Sequence, residues 1–106
     1  MASIIFYGVG QNARDNYDRW INHGLKPVCF ADGDVRKQFS FYKGLEILPL
    51  FEAISRYPDY EIYCTQAAHN LNEIYNYLVG VGIPKDKIKY CEKEIVIKEE
   101  INFEIL

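Results

Sequence analysis

The residues with the clearest chemical potential form a glycine-rich turn near the amino terminus. The segment Gly8-Val9-Gly10-Gln11-Asn12-Ala13 matches the pattern GxGxxA, and it lies between an apolar run and a segment of helical periodicity. Gly8 permits a tight turn, and Gly10 has no side chain to keep a phosphate from the backbone. The N–H groups and positive dipole end of the following helix would face that phosphate. The pattern therefore predicts a nucleotide phosphate site at Gly8, Val9, Gly10, Gln11 and Asn12.

An acidic residue follows the second apolar run at a spacing that suits ribose binding. Asp32 lies 22 residues after Gly10, close to the ~20 residues typical of the acid that hydrogen-bonds ribose hydroxyls. Its carboxylate would accept from both hydroxyls and would repel a 2′-phosphate. NAD-type or UDP-type ligands are therefore favoured over NADP. The alternative is that Asp32 and Asp34 only shape the turn Asp-Gly-Asp.

Three further positions are candidates for the same site. Arg14, in the first turn of the predicted helix, could reach a phosphate or could simply be exposed. Thr65 and Gln66 follow the fourth predicted strand, beside the crevice where doubly wound sheets bind ligands. His69 would need an orienting partner and a substrate to act as a general base, and the sequence identifies neither. We therefore predict no catalytic set and no metal site.

The elements that must position these residues alternate between strand and helix. Apolar runs rich in β-forming residues predict strands at 3–8, 27–32, 45–48, 61–65 and 88–90. Apolar stripes predict helices at 11–23 and 70–78, and Pro49, which suits the first turn of a helix, predicts another at 49–56. Segment 33–44 is expected to be a loop, and segment 94–106 to hold one or two strands. This order predicts one Rossmann-like α/β domain over residues 1–106, with three layers and helices on both faces of a mostly parallel sheet. The expected strand order is 3-2-1-4, with room for a fifth strand beside the fourth.

Composition limits the classes of function. The chain has 106 residues, of which 49% are apolar, and a net charge of −3 without the basic run of a nucleic-acid binder. It has no signal-peptide pattern, and no apolar stretch approaches the ~20 residues that span a bilayer. Its three cysteines are far apart and suggest neither disulfides nor a metal site. These features favour a cytoplasmic protein with no nucleic-acid or membrane partner.

Four segments resemble a known family: FYGVGQNAR, VCFADGD, KGLEILP and EIYCTQAAHNLNEIYNYLVGVGIPKDKI. They are similar to bacterial Rossmann-like modules in enzymes of surface-polysaccharide and nucleotide-sugar metabolism. Such modules resemble the N-terminal domain of sugar acetyltransferases and the nucleotide-binding parts of sugar dehydratases and certain methyltransferases. The matching positions are Gly8, Gly10, Arg14, Asp32, Asp34, Gly44 and Gly82. The sequence departs from the family at Gly33, where asparagine is usual, and at 45–49, where LEILP replaces the commoner Ile-Pro-Val.

Three functions remain open at this stage. The favoured one is a module that binds NAD or a UDP-type nucleotide or nucleotide-sugar without chemistry of its own, and whose protein partner is a larger enzyme or a second copy. An NAD-dependent oxidoreductase of sugar nucleotides needs a second βαβ half and a catalytic domain, so this chain would be a fragment of one. The third is an interaction or oligomerisation domain that kept the fold and lost its ligand.

Overall fold

The computed structural model of the chain describes residues 2–95. The strands are β1 (Ser3–Tyr7), β2 (Pro27–Ala31), β3 (Phe41–Tyr42), β4 (Leu45–Leu48), β5 (Tyr60–Cys64) and β6 (Ile88–Tyr90). The helices are α1 (Gln11–Asn22), α2 (Leu50–Arg56) and α3 (Leu71–Gly80), with single 3₁₀ turns at Ala68–Asn70 and Lys85–Lys87. Residues 91–95 are also helical. The predicted helices and the five predicted strands up to residue 90 are present, with bounds that differ by two residues at most.

The six strands form one mostly parallel sheet in the order β3-β4-β2-β1-β5-β6. The strand order predicted from the sequence is wrong, because it omits β3. This strand pairs antiparallel with β4 at the edge of the sheet, inside the segment 33–44 that was expected to be a loop. With only two residues, β3 is too short to produce the alternating pattern by which strands are predicted.

Each face of the sheet has its own buried cluster. Successive strand residues point to opposite faces, so Ile5 packs in one cluster and Phe6 in the other. The cluster around Ile5 includes residues of α2 and α3, and the cluster around Phe6 includes Trp20 of α1. The three layers predicted from the sequence are not clearly formed. The result is an α/β fold whose parallel strands all end at one edge of the sheet.

The end of the described chain packs against α1. The Trp20 indole N–H donates to Glu92 Oε2 at 2.8 Å, and the Arg19 guanidinium pairs with the same carboxylate. Cys91 and Ile95 are fully buried, and they lie four residues apart on one helical face. Residues 94 and 95 are therefore helical, and the strand prediction is wrong for them; the rest of that prediction, 96–106, lies outside the described residues.

None of the helices in residues 2–95 has the length and apolar character that crossing a membrane requires.

Candidate functional site

The turn between β1 and α1 requires glycine at its first position. Gly8 has a φ of +111°, and a Cβ atom there would lie 2.4 Å from Gln66 Nε2 and 2.7 Å from Thr65 Oγ1. The Gly8 N–H donates to the carbonyl oxygen of Ala31 at 2.7 Å, which ties the turn to the end of β2. The turn is therefore wedged between the carboxyl ends of β2 and β5, and a larger residue would displace it.

The first turn of α1 presents backbone N–H groups without a side-chain cap. Gly10 is the N-cap residue, with a φ of −91°, and no side chain hydrogen-bonds the helix start. A Cβ atom on Gly10 would meet no atom within 4 Å. The first N–H groups of a helix have no partner within the helix and carry the positive end of its dipole. The turn thus combines an open approach with donors suited to an anion.

Asp32 joins the glycine turn to the loop after β2. Its Oδ2 accepts from the Val9 N–H at 2.8 Å, and its Oδ1 accepts from the Asp34 N–H at 2.8 Å. Asp32 therefore shapes the turn, as the structural alternative proposed. Each carboxylate oxygen can accept a second hydrogen bond, so the shaping role leaves acceptor capacity for a ligand hydroxyl.

The Asp34 carboxylate is paired with Arg36. Its carboxylate receives two guanidinium hydrogen bonds from Arg36, at 3.1 and 3.0 Å. These bonds lower the pKa of Asp34 from 3.8 to about 2. The pair stabilises the conformation of the loop after β2 and does not line the cavity beside Asp32.

Thr65 and Gln66, which follow β5, hydrogen-bond to backbone carbonyl oxygens at the end of β1. Thr65 is buried, with 2% of its surface exposed. Its hydroxyl lies 2.9 Å from the Tyr7 carbonyl oxygen and 2.8 Å from the Gly8 carbonyl oxygen. Gln66 Nε2 donates to the same Tyr7 oxygen at 2.9 Å. Among the described residues, Gln66 Oε1 is buried and accepts no hydrogen bond. A buried acceptor of this kind costs about 1–3 kcal/mol until a donor reaches it.

A cavity of about 370 Å³ opens where the turn, Asp32 and Thr65 meet. Its volume is within the range of roughly 300–1,000 Å³ that is typical of small-molecule sites. Its polar groups include the Asn12 amide, whose Nδ2 donates to the Thr65 carbonyl at 2.7 Å. The lining residues are Gly8, Gly10, Gln11, Asn12, Ala13, Asp32, Lys37, Thr65, Gln66, Ala67 and Asn70.

Seven of the nine residues predicted for the site line this cavity, and two do not. Val9 is fully buried and contributes only its backbone, through the hydrogen bond to Asp32. The Arg14 guanidinium lies over the Tyr42 ring, 5.3 Å from its centroid. His69 is exposed and is not among the lining residues. The nucleotide-binding role of all nine stays a prediction.

Lys37 is the charged residue of the cavity lining that sequence reasoning missed. Its Nζ donates to the Val9 carbonyl oxygen at 2.9 Å, so the ammonium lies at the glycine turn. Lys37 follows Asp32 by five residues in a segment without periodic pattern, and several other lysines are equally plausible by spacing alone. Only the path of the loop after β2 identifies it.

A second cavity of about 200 Å³ adjoins the first. The two share Gly8, Asp32 and Gln66, and the second also has an apolar wall with Tyr7 and Ile74. Burial raises the pKa of the Tyr7 hydroxyl to about 12, so this side chain stays neutral. Asp32 therefore lies between a polar compartment at the helix start and a more apolar one.

The rest of the described chain offers no competing metal centre. In residues 2–95 no group of three histidine, cysteine or acidic side chains is arranged to hold a metal ion. The three cysteines are free and buried.

A scan against models of protein families found no match to the chain, and a search of curated proteins found no similar sequence.

Proposed function

We propose that this chain is a nucleotide-binding module for NAD or a UDP-type nucleotide or nucleotide-sugar, with no catalysis of its own. We also propose that it is a Rossmann-like domain of surface-polysaccharide or nucleotide-sugar metabolism, whose partner is a larger enzyme or a second copy. The observation that carries the proposal is the uncapped start of α1, which opens into a cavity beside Asp32.

The glycine turn suits the phosphate part of such a ligand. Nothing lies within 4 Å of the Cβ position of Gly10, so a phosphate can approach the backbone there. The first-turn N–H groups of α1 would then donate to its oxygens, aided by the helix dipole. Because backbone N–H groups would hold the phosphate, the site needs few charged side chains to bind it.

The nucleoside part fits the neighbouring groups. Asp32 has acceptor capacity left for ribose hydroxyls, and the apolar wall of Tyr7 and Ile74 beside it suits a base ring. The buried Oε1 of Gln66 would gain a donor from a ligand N–H or O–H. We assign no nucleophile, because the Thr65 hydroxyl is committed to backbone carbonyl oxygens.

A titration with UDP, UDP-N-acetylglucosamine, NAD and coenzyme A tests the proposal. Ligand at about 100 times its dissociation constant adds roughly 2.7 kcal/mol to the stability of the folded state, which raises the melting temperature by several degrees or more. We expect a shift with UDP, UDP-N-acetylglucosamine or NAD, and dissociation constants follow from isothermal titration calorimetry.

Two glycine variants make the test specific. Gly10→Ala places a methyl group where the phosphate would approach. This methyl group would have no protein atom within 4 Å. We expect it to weaken binding at least tenfold. Gly80→Ala, at the end of α3, adds the same methyl group in open space and leaves binding unchanged. If no nucleotide binds at millimolar concentration, or if Gly10→Ala binds as the wild type does, the proposal is wrong.

An interaction domain is the second candidate, and a patch of exposed apolar side chains favours it. Val35, Phe39 and Phe41 are 76%, 58% and 68% exposed. They belong to β3 and the loop before it, at the edge of the sheet. Sedimentation equilibrium of the wild type and of Phe41→Ser tests this function. Self-association that is lost in the variant, in a chain that binds no nucleotide, would replace the binding module with this alternative.

A further inference from the structure

Lys37 is a cation in the cavity wall that has no carboxylate in direct contact. Its side chain is half-buried, and it forms no ion pair with any residue from 2 to 95. Its Nζ donates instead to the Val9 carbonyl oxygen at 2.9 Å. An ammonium has three donors, so two remain for another acceptor.

The loop that carries Lys37 is fixed by backbone and side-chain hydrogen bonds. The Lys37 N–H donates to the Asp34 carbonyl at 2.9 Å, and the Ser40 N–H donates to the Lys37 carbonyl at 3.2 Å. Gln38 Nε2 donates to the Asp32 carbonyl at 2.9 Å. These hydrogen bonds fix the backbone that carries Lys37 close to the glycine turn.

The position of this ammonium relates it to the start of α1. Lys37 Nζ contacts the Val9 oxygen, and the carbonyl carbon of Val9 is bonded to Gly10 N. Standard bond lengths then place Nζ within about 5 Å of Gly10 N. The cavity thus has two separate positive poles, the N–H groups of α1 and the Lys37 ammonium. The Arg14 guanidinium, which the sequence analysis predicted as a phosphate-binding candidate, lies over the Tyr42 ring.

We propose that Lys37 is a phosphate-binding residue that makes the site selective for nucleoside diphosphates and their esters over monophosphates and unphosphorylated nucleosides. This inference rests on the proposed nucleotide-binding function. One phosphate accepts from the first turn of α1, and the adjacent phosphate accepts from the two remaining donors of Lys37. Lys37 and Asp32 both line the cavity, so the ammonium adds positive charge to the wall that carries the carboxylate.

The experiment is a calorimetric titration with two ligand series: uridine, UMP and UDP, and adenosine, AMP and ADP. The proteins are the wild type, Lys37→Gln, Lys37→Arg and the control Lys26→Gln. Lys26 is exposed and precedes β2 at the amino-terminal edge of the sheet, opposite the cavity. Urea unfolding of each variant establishes that it is folded before titration.

We expect the wild type to bind the diphosphate of one series most tightly. Loss of a charge-assisted hydrogen bond corresponds to roughly 10- to 100-fold in affinity, so Lys37→Gln should weaken diphosphate binding by that factor. It should leave nucleoside binding unchanged, whereas Lys37→Arg restores most of the diphosphate affinity. Raising the salt concentration should weaken diphosphate binding less in Lys37→Gln than in the wild type.

Two results overturn the role of Lys37 while the proposed function stands. One is a diphosphate affinity that Lys37→Gln does not change. The other is an equal loss for nucleoside, monophosphate and diphosphate, which means that Lys37 only shapes the turn. If the wild type binds none of the six ligands, and none of the nucleotide-sugars or NAD, the proposed function fails and this inference fails with it.

Discussion

Replacing Gly8 with alanine is the most direct perturbation of the turn. At a φ of +111° an alanine is strained, which costs about 1–3 kcal/mol. Its Cβ would lie 2.4 Å from Gln66 Nε2 and 2.7 Å from Thr65 Oγ1, so both side chains must move. Overpacking of this kind costs about 1–3 kcal/mol more. We therefore expect Gly8→Ala to lower the free energy of unfolding by about 4 kcal/mol.

The assay is urea unfolding followed by the fluorescence of Trp20. This residue is the single tryptophan of the chain and is 1% exposed, so its emission reports the loss of the core. In a domain of roughly 100 residues each kcal/mol shifts the melting temperature by about 4–8 °C. Gly8→Ala should accordingly melt about 15–30 °C below the wild type.

Gly10→Ala is the matched control in the same turn. Gly10 has a φ of −91°, which any residue adopts, and its Cβ position has no neighbour within 4 Å. We expect its free energy of unfolding to stay within about 0.5 kcal/mol of the wild type. A Gly8→Ala protein within about 1 kcal/mol of the wild type, or equal losses in both variants, would refute the account of the turn.

Three further predictions concern single side chains. Because hydrogen bonds from Arg36 lower the pKa of Asp34 to about 2, their pair favours the folded state above pH 3.8 and loses this effect as the pH falls to 2. NMR titration of Asp34 in Arg36→Gln should show a midpoint that rises toward 3.8 without reaching it, because the backbone N–H of residue 36 still donates to Asp34. Thr65→Val should lower the free energy of unfolding by about 1–3 kcal/mol, because the Gly8 carbonyl loses its donor, and Thr65→Ser should retain most of it. At pH 8 no thiol should react with a disulfide reagent until urea unfolds the chain, because burial raises the pKa of Cys29, Cys64 and Cys91.

Most helices and strands could be predicted from the sequence, because they produce periodic patterns. The buried strand β1 is a continuous apolar run that ends at glycine, and α1 has an apolar stripe. The two-residue strand β3 has no such signature, since hydrogen bonds to β4 alone make it a strand. Residues 94 and 95 begin a segment, 94–106, whose partly alternating sequence predicts strand. Burial of Ile95 beside Cys91 nevertheless favours helix at these two residues. Tertiary contact overrides the local pattern there.

The candidate site was predictable where it depends on the backbone and unpredictable where it depends on loop paths. Gly8 and Asp32 are the last residues of predicted strands, and parallel strands bring their carboxyl ends together. Lys37 and Arg14 show the opposite case. The loop that returns Lys37 to the turn has no periodic pattern, and the Tyr42 ring beneath Arg14 belongs to the strand that the sequence did not reveal.

The hydrogen bonds that hold the glycine turn have a consequence for kinetics. Asp32 fixes the Val9 N–H, Thr65 fixes the Gly8 carbonyl, and Gly8 N–H is bound to Ala31. The backbone that would contact a phosphate is thus ordered when the chain folds, and a ligand need not order it again. Nucleotide association should then occur in one step, with a rate that rises linearly with ligand concentration and no slow isomerisation. Differences in affinity among ligands should appear mainly as differences in how long each remains bound.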